Sequence, residues 1–528
     1  VQIIPANFVL APAFLPPMSL QWLSLVGAIW LQSINGTNSD FPAYSSQLKK
    51  LLAMSQLQLN NLAFASDAGK LFGWFSGVAA VYLPLWLVLM IGSALGLIGY
   101  GVQYLLLTNQ IPTLPYSLVF LLTVLAGNSI CWINTVCYII AIQNFPLDRQ
   151  VAVGLSTSYQ GLSAKIYSDI VDVFFPSSPA ERAKGYLLLN SVLPLVVCVV
   201  AAPVVRDVHV GRSRKLIGGF VVIFVITLVT GSWAVISCLG SVISSLSPRI
   251  ILIGMCVFLV IPVLVPLAEK ICERQRQKCC IRKEKRVHNV SIEEVEEDHG
   301  GTMGVENIGV KRESVGEDCE VGIREEIGVK EMIKRVDFWL YFFVYFFGAT
   351  LGLVYLNNLG QIAESRGYSR TSALVSLSSS FGFFGRLVPF LLDYYTSRTK
   401  YVLSRPASIA VMTAPLSAAF FLLLNPTSLS LHISTAIIGI CTGAITSISV
   451  STTTELFGAK NFGVNHNILV MNIPLGSFLF GDLAALLYRR EGSGGFSVLD
   501  DRGNHFPKDK FDTITFSSIP SFSENIPK

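Results

Sequence analysis

Long apolar segments follow one another along almost the whole of this 528-residue chain. The hydrocarbon core of a bilayer is about 30 Å thick, so a helix needs about 20 predominantly apolar residues to cross it. Roughly thirteen segments meet this requirement, in groups of about six, two and five. The sequence therefore predicts an all-α polytopic membrane protein.

The composition agrees with this class. Hydrophobic residues make up 52 % of the chain and charged residues 14 %, and the mean hydropathy is +0.57. A soluble domain carries about a quarter of its residues as charged side chains. These values exclude an ordinary soluble globular protein.

The predicted spans define the expected domain organisation. We place them at 20–38, 62–82, 84–107, 116–142, 150–174, 186–206, 215–240, 249–269, 338–360, 371–394, 406–425, 431–454 and 465–488. The expected parts are an N-terminal extension 1–17, a six-helix bundle 18–206, two linker helices 207–269, a charged cytosolic loop 270–336, a C-terminal bundle 337–490 and a polar tail 491–528. Met18 is the expected natural start.

The loop 270–336 is basic at both ends, acidic in its middle and rich in glycine, which is typical of a disordered segment. Lys and Arg concentrate in this loop, in 206–215 and in 398–405. Because cytosolic connections carry the excess of positive charge, we expect a cytosolic N-terminus.

Two short motifs indicate an internal repeat. Phe72-Gly73-Trp74-Phe75 lies in the second span of the first group, and Phe381-Gly382-Phe383-Phe384 lies in the second span after the loop. Agreement in both rank and motif suggests two related helix bundles. Transporters use such an arrangement to form a midplane site between their halves.

Gly385-Arg386 followed by Asp393 resembles the loop motif between the second and third helices of major facilitator transporters. A carboxylate near a helix end can pair with a neighbouring cation and act as a latch between the halves. The alternative is an anchoring charge cluster at the membrane interface.

Four stretches together resemble the plant nodulin-like family, related to the nuclear-fusion-defective-4-like proteins, within the major facilitator superfamily. They are Leu59-Asn60-Asn61-Leu62 with Asp67 and Lys70, Gly99-Tyr100-Gly101-Val102-Gln103, Asn144-Phe145-Pro146 through Gly161-Leu162-Ser163, and Phe384-Gly385-Arg386-Leu387-Val388-Pro389. The resemblance implies a two-bundle solute carrier.

The chain departs from the family pattern at two places. Val81-Tyr82 stands where the family usually has an Asp-Arg pair, so a latch in the first half is not expected. The family also has one more span after 465–488, and we therefore expect an incomplete second half.

Charged side chains at bilayer depth cost about 2.5–3.5 kcal/mol each on insertion scales, so they are functional candidates. Lys165 and Asp169 lie four residues apart on one helical face, where they would bind substrate or couple protons. The alternative is a self-neutralised pair close to the outer interface. Asp67 and Lys70, at the start of span two, are expected to be structural.

Uncharged polar residues complete the substrate-binding candidates. The resemblance implies that the first and fourth helices of each half line the cavity, which favours Asn35, Asn128, Asn134 and Asn357. Tyr159 and Asn472 are further candidates. The alternative role for the asparagines is to bridge helices by hydrogen bonds.

No motif indicates catalysis, nucleotide binding or a metal site, so neither an enzyme nor a cofactor is expected. The predicted partners are membrane lipid and a small solute, with proton coupling through Asp169 or another buried carboxylate, and not nucleic acid. The leading hypothesis is a secondary transporter, with Lys165 attracting an organic anion. The alternative is a transport-inactive scaffold or receptor that acts through its cytosolic loop. Either is an integral multi-pass protein of the plasma membrane or an endomembrane.

Overall fold

The computed structural model describes residues 18–208, 217–238, 247–275, 278, 326–368, 371–389, 391 and 405–493. This part of the chain is helical, with turns and short connections and no strand. By internal contacts the chain divides into a unit that extends to Gly481 and a unit from Asp482 onward. Every site described below lies in the first unit.

The helices of the first half and of the linker are numbered in chain order. They are α1 (Met18–Ile34), α2 (Phe41–Leu51), α3 (Gln56–Ala68), α4 (Trp74–Tyr82), α5 (Leu85–Leu107), α6 (Tyr116–Asn144), α7 (Arg149–Phe174), α8 (Pro179–Ala201), α9 (Ile217–Cys238) and α10 (Pro248–Val260). A 3₁₀ turn, Gly69–Phe72, connects α3 with α4, and a second, Ile261–Val263, follows α10.

The second half begins after the long loop. Its helices are α11 (Val329–Met332), α12 (Val336–Asn357), α13 (Leu359–Ser365), α14 (Thr371–Gly385), α15 (Arg405–Leu422), α16 (Ser428–Phe457), α17 (Phe462–Val470) and α18 (Asn472–Ser493). Most of the predicted loop 270–336, and most of the predicted tail 491–528, lie outside the described residues.

Seven helices among the described residues are long and apolar enough to cross a membrane, and Met18–Ile34 and Ala407–Leu422 are shorter apolar helices. Other predicted spans are divided into shorter pieces: α3 and α4 form one of them, and α17 and α18 another. A fixed hydropathy window misses an interrupted helix. The predicted count of thirteen spans therefore stays a prediction.

The helix that contains the second predicted span starts before residue 62, where the sequence placed the start of that span. Ser55 caps α3 by accepting a hydrogen bond from the backbone N–H of Gln58, and the Gln58 side chain accepts one from the Ser55 N–H. This reciprocal capping box fixes a helix start. The helix begins six residues before the predicted span, because the first turns of α3 are polar and carry little hydropathy signal.

Glycine allows the second and fourth spans of each half to cross at close range. In the first half a Cβ on Gly127 of α6 would collide with the carbonyl oxygen of Ser66 in α3, and in the second half a Cβ on Gly443 of α16 would collide with that of Gly382 in α14. Small residues at such crossings let two helix backbones approach each other. The second and fourth spans are thus packed in the same way in both halves.

The two linker helices lie against the first half and against α14. Trp30 donates its indole N–H to the carbonyl of Leu259 at 2.8 Å, and the hydroxyls of Tyr159 and Thr227 are 3.3 Å apart. Only 22 % of the apolar window in Pro248–Gln275 is buried. Because apolar side chains cover the rest, that surface suits contact with lipid.

Candidate solute pathway

Asp67 of α3 connects the two halves. Its carboxylate accepts a hydrogen bond from Lys70 Nζ at 2.5 Å, from Asn357 Nδ2 at 2.9 Å and from Ser477 Oγ at 2.6 Å. Asn357 ends α12 and Ser477 belongs to α18, so one buried carboxylate of the first half binds two helices of the second. Of the sequence candidates, Asn357 is the one that takes part in this contact.

Asp67 and Lys70, which the sequence placed near the membrane interface, are both buried inside the protein. Asp67 follows the start of α3 at Gln56 by eleven residues, which corresponds to about 16 Å along a helix. Asp67 is 2 % exposed and Lys70 9 % exposed. The capping box at Ser55 is the sequence signal that could have shown that α3 begins well before Asp67.

Lys165 and Asp169 form a buried ion pair on α7. The pair lies beside α14 and the linker rather than beside the first and fourth helices. The backbone N–H of Lys165 donates to Ser379 Oγ at 3.3 Å. The charges of the pair also interact electrostatically with the Cys238 thiol at the end of α9. Asp169 Oδ2 has no hydrogen-bond partner among the described residues.

The asparagines of the first half bind to one another and to backbone. Asn35 donates to the carbonyl of Ile130 at 3.1 Å and to Asn134 Oδ1 at 2.9 Å. Asn128 donates to the carbonyl of Gly69 at 2.8 Å, which holds the 3₁₀ turn, and accepts from the indole of Trp132. Asn35 and Asn134 therefore lie together, whereas Asn128 has a bridging role.

Tyr159 and Asn472 lie apart from these groups. Tyr159 is fully buried, with its ring 5.5 Å from that of Phe383 and its hydroxyl at the linker helix α9. Asn472 donates to the carbonyl of Phe342 at 3.4 Å, inside the second half. The sequence-predicted residues thus do not converge on one site.

A second contact between the halves lies near the opposite end of the same helices. A Cβ built on Gly77 of α4 would lie 2.5 Å from the carbonyl carbon of Gly463 in α17. Next to it, Asn467 Nδ2 donates to Thr135 Oγ1 at 2.9 Å, and Thr135 Oγ1 is 2.7 Å from Ser76 Oγ. None of these polar residues was among the substrate-binding or gating candidates predicted from the sequence.

A cavity of about 830 Å³ begins at the Gly77–Gly463 contact, at the end predicted to be cytosolic. Its lining includes Val81, Trp86, Arg206 and Lys460. Val81 and its neighbour Tyr82 are exposed, so the place where the family pattern has a charged pair is here an apolar surface beside the cavity.

Arg386 follows α14, and its guanidinium lies between the halves. A Cβ built on Gly161 of α7 would lie 2.5 Å from Nη1 of Arg386. The guanidinium charge also interacts electrostatically with the phenols of Tyr138 and Tyr345. Gly385 packs against the carbonyl of Ile440. Asp393 lies outside the described residues, so the gating role predicted for Gly385, Arg386 and Asp393 stays a prediction.

Some polar side chains between the halves keep accessible surface in this closed arrangement. They are Asn134, Gln160, Asn357 and Arg386, each of intermediate exposure. The residues next to them along their helices are mostly buried. These four side chains are therefore partly accessible to solvent. Within the described ranges no group of three or more His, Cys, Asp or Glu side chains is arranged to hold a metal ion.

Comparison with known proteins identifies the sequence over almost its full length. Residues 21–267 match the Nodulin-like family model, and residues 320–500 match that of the NFD4 C-terminal domain. The chain is 42 % identical over 488 residues to Protein NUCLEAR FUSION DEFECTIVE 4 of Arabidopsis thaliana, covering 90 % of this chain and 81 % of the relative.

Two solved structures share the fold of this chain. A POT family transporter in complex with a thioalcohol-conjugated peptide matches with a TM-score of 0.52 and 14 % identity, over 90 % of this chain and 92 % of that one. The peptide transporter POT in complex with sulfate matches with a TM-score of 0.50 and 13 % identity, over 92 % and 93 %. The predicted major-facilitator-like fold and the multi-pass membrane location are confirmed.

Proposed function

Because the chain belongs to the Nodulin-like family with an NFD4 C-terminal domain, we propose that it is a secondary transporter that moves a small organic anion by alternating access. The observation that supports this most is Asp67. A buried carboxylate is costly unless it is paired and hydrogen-bonded, and this one receives hydrogen bonds from both halves.

The two contacts between the halves have the properties of gates. The outer seam consists of Asp67, Asn357 and Ser477 with the nearby approach of Gly360 to α2, and the inner seam consists of Gly77, Gly463 and Asn467. Short polar contacts and small residues occur in both seams, and an aromatic pair lies beside each of them: Phe64 with Phe478 at the outer seam and Tyr138 with Phe462 at the inner seam. Rocking of one half against the other would open either seam while the other stays closed.

An ion gradient is the proposed source of energy. The sequence has no phosphate-cradling loop of the GxxxxGK[ST] type. The buried carboxylates of the described residues are Asp40, Asp67 and Asp169. Of these, Asp67 and Asp169 would carry a coupled proton, since protonation removes the charge that holds Asn357 and Ser477, or that faces Lys165.

A disulfide across the outer seam tests alternation without knowledge of the solute. A Cβ on Gly360 would lie 3.3 Å from Ser45 Oγ, which is close to the separation that a disulfide needs, and 2.5 Å from the carbonyl oxygen of Pro42, so the backbone of α2 must shift slightly to admit it. In nanodiscs, oxidation of a Ser45→Cys/Gly360→Cys variant should speed the labelling of a third cysteine, Gly463→Cys, several-fold, because the closed outer seam favours the state with an open inner seam.

The matched control carries Gly218→Cys in place of Gly463→Cys, because Gly218 is exposed and has no atom within 4 Å of its built Cβ. Its labelling should not respond to oxidation. Labelling of Gly463→Cys that stays constant or slows after oxidation would show that the two seams do not alternate.

A further inference from the structure

Arg386 differs from the two buried lysines of the described helices. Lys70 is paired with Asp67 and Lys165 with Asp169. No carboxylate in the described ranges lies within ion-pair distance of the Arg386 guanidinium. A cation without a counter-charge among these helices can be balanced by a ligand that carries the opposite charge.

The groups around Arg386 come from both halves. Its Nη1 atom lies over Gly161 of α7, where only a residue without a side chain leaves room. Tyr138 of α6 and Tyr345 of α12 lie within electrostatic range. The ring of His466 crosses that of Tyr138 edge-on, with centroids 5.5 Å apart, which restricts the position of the phenol.

Arg386 keeps some accessible surface, whereas the groups around it are buried. Arg386 is of intermediate exposure, whereas Tyr138 is 7 % and Tyr345 2 % exposed and Gly161 is buried. Part of the Arg386 side chain is therefore accessible to a ligand, although its neighbours Gly161, Tyr138 and Tyr345 are buried.

We propose that Arg386, Tyr138 and Tyr345 form the anion-binding subsite of the solute pathway and that its ligand is a small organic carboxylate. A guanidinium presents a planar fork that matches the two oxygens of a carboxylate, and each phenol can donate one further hydrogen bond. The inference rests on the proposed transport function and moves the anion site from Lys165, whose charge Asp169 already balances, to Arg386.

Binding can be measured without transport, from the thermal unfolding of the purified full-length protein in detergent. The probes are pyruvate, malate and citrate, with glucose as a neutral probe and inorganic phosphate as a different anion. At least one carboxylate should raise the unfolding temperature saturably, and to a greater extent than phosphate, while glucose should not.

The variants locate the subsite. Arg386→Gln should raise the half-saturating carboxylate concentration about 10- to 100-fold, since it removes a charged hydrogen-bond donor. Arg386→Lys and Tyr345→Phe should each raise it about 3- to 10-fold. Lys184→Gln removes a cation of the exposed Glu181–Lys184 pair and should leave it unchanged.

Three results would overturn the proposal: no carboxylate of the panel stabilises the wild type, phosphate stabilises it more, or Arg386→Gln responds as the wild type does. If Arg386→Gln does not fold, unchanged responses of Arg386→Lys and Tyr345→Phe have the same meaning. A carboxylate that binds without being transported would refute alternating access and leave the subsite intact. Uptake that survives Arg386→Gln would refute the subsite and leave transport intact.

Discussion

Single residues decide how the two halves are held together, and Asp67 shows this most clearly. Its two oxygens bind Lys70 within the first half and Asn357 and Ser477 of the second. Lys70 would lose its counter-charge if Asp67 were replaced. The pair therefore has a structural and a gating role at once, and the two roles respond differently to substitution.

Because Asp67 and Lys70 balance each other's charge, substitutions at the two positions should have strongly non-additive effects on stability. Asp67→Asn should destabilise the protein by about 3–5 kcal/mol, because it leaves Lys70 buried and unpaired. The double variant Asp67→Asn/Lys70→Gln should regain much of this loss, since neither charge remains. Thermal unfolding of the four proteins in detergent measures the cycle.

The control pair is Asp172 and Arg182, whose side chains are 40 % and 26 % exposed. Asp172→Asn should cost about 0–1 kcal/mol, as for other solvent-screened pairs. A double variant at 67 and 70 that is as unstable as Asp67→Asn alone would show that the charge balance is not what the pair provides.

At the scale of helices, the sequence predicted where apolar spans lie better than where they break. Hydropathy located α5, α6 and α8 because each is a continuous apolar segment. It could not locate the 3₁₀ turn Gly69–Phe72, which depends on the contact of Gly69 with α6 and on the hydrogen bond from Asn128. The direction of the Arg386 side chain likewise depends on packing between helices that are far apart in sequence.

The glycine crossings make a prediction at this scale. Gly443→Ala should destabilise the protein by about 1–3 kcal/mol, because its Cβ would collide with the backbone of Gly382 across the α14–α16 crossing and force the helices apart. Thermal unfolding of the purified variant measures the loss.

Gly218→Ala is the matched control, since nothing lies within 4 Å of its built Cβ and alanine favours a helix over glycine. It should be neutral or slightly stabilising. Equal effects of the two substitutions would mean that helix propensity, and not the close crossing, determines the result at Gly443.

The whole molecule combines two seams, a pair of linker helices and the Arg386 guanidinium between the halves. The sequence predicted the two-bundle membrane fold and the family. It did not predict the seams, because Ser477, Asn467 and Gly463 gain their partners only when the halves meet. The candidate residues taken from polarity alone are distributed over several places, and Asn357 is the one that lies in a seam.

The central claim, transport by alternation of two seams, is tested most directly by uptake into proteoliposomes. The purified Ser45→Cys/Gly360→Cys variant would be reconstituted, and uptake of a carboxylate that stabilises the protein would be measured under an imposed proton gradient. We expect saturable uptake in the reduced protein, its loss on oxidation and its return on reduction. Absence of saturable uptake in the reduced protein, or uptake that continues through the oxidised one, would contradict the account.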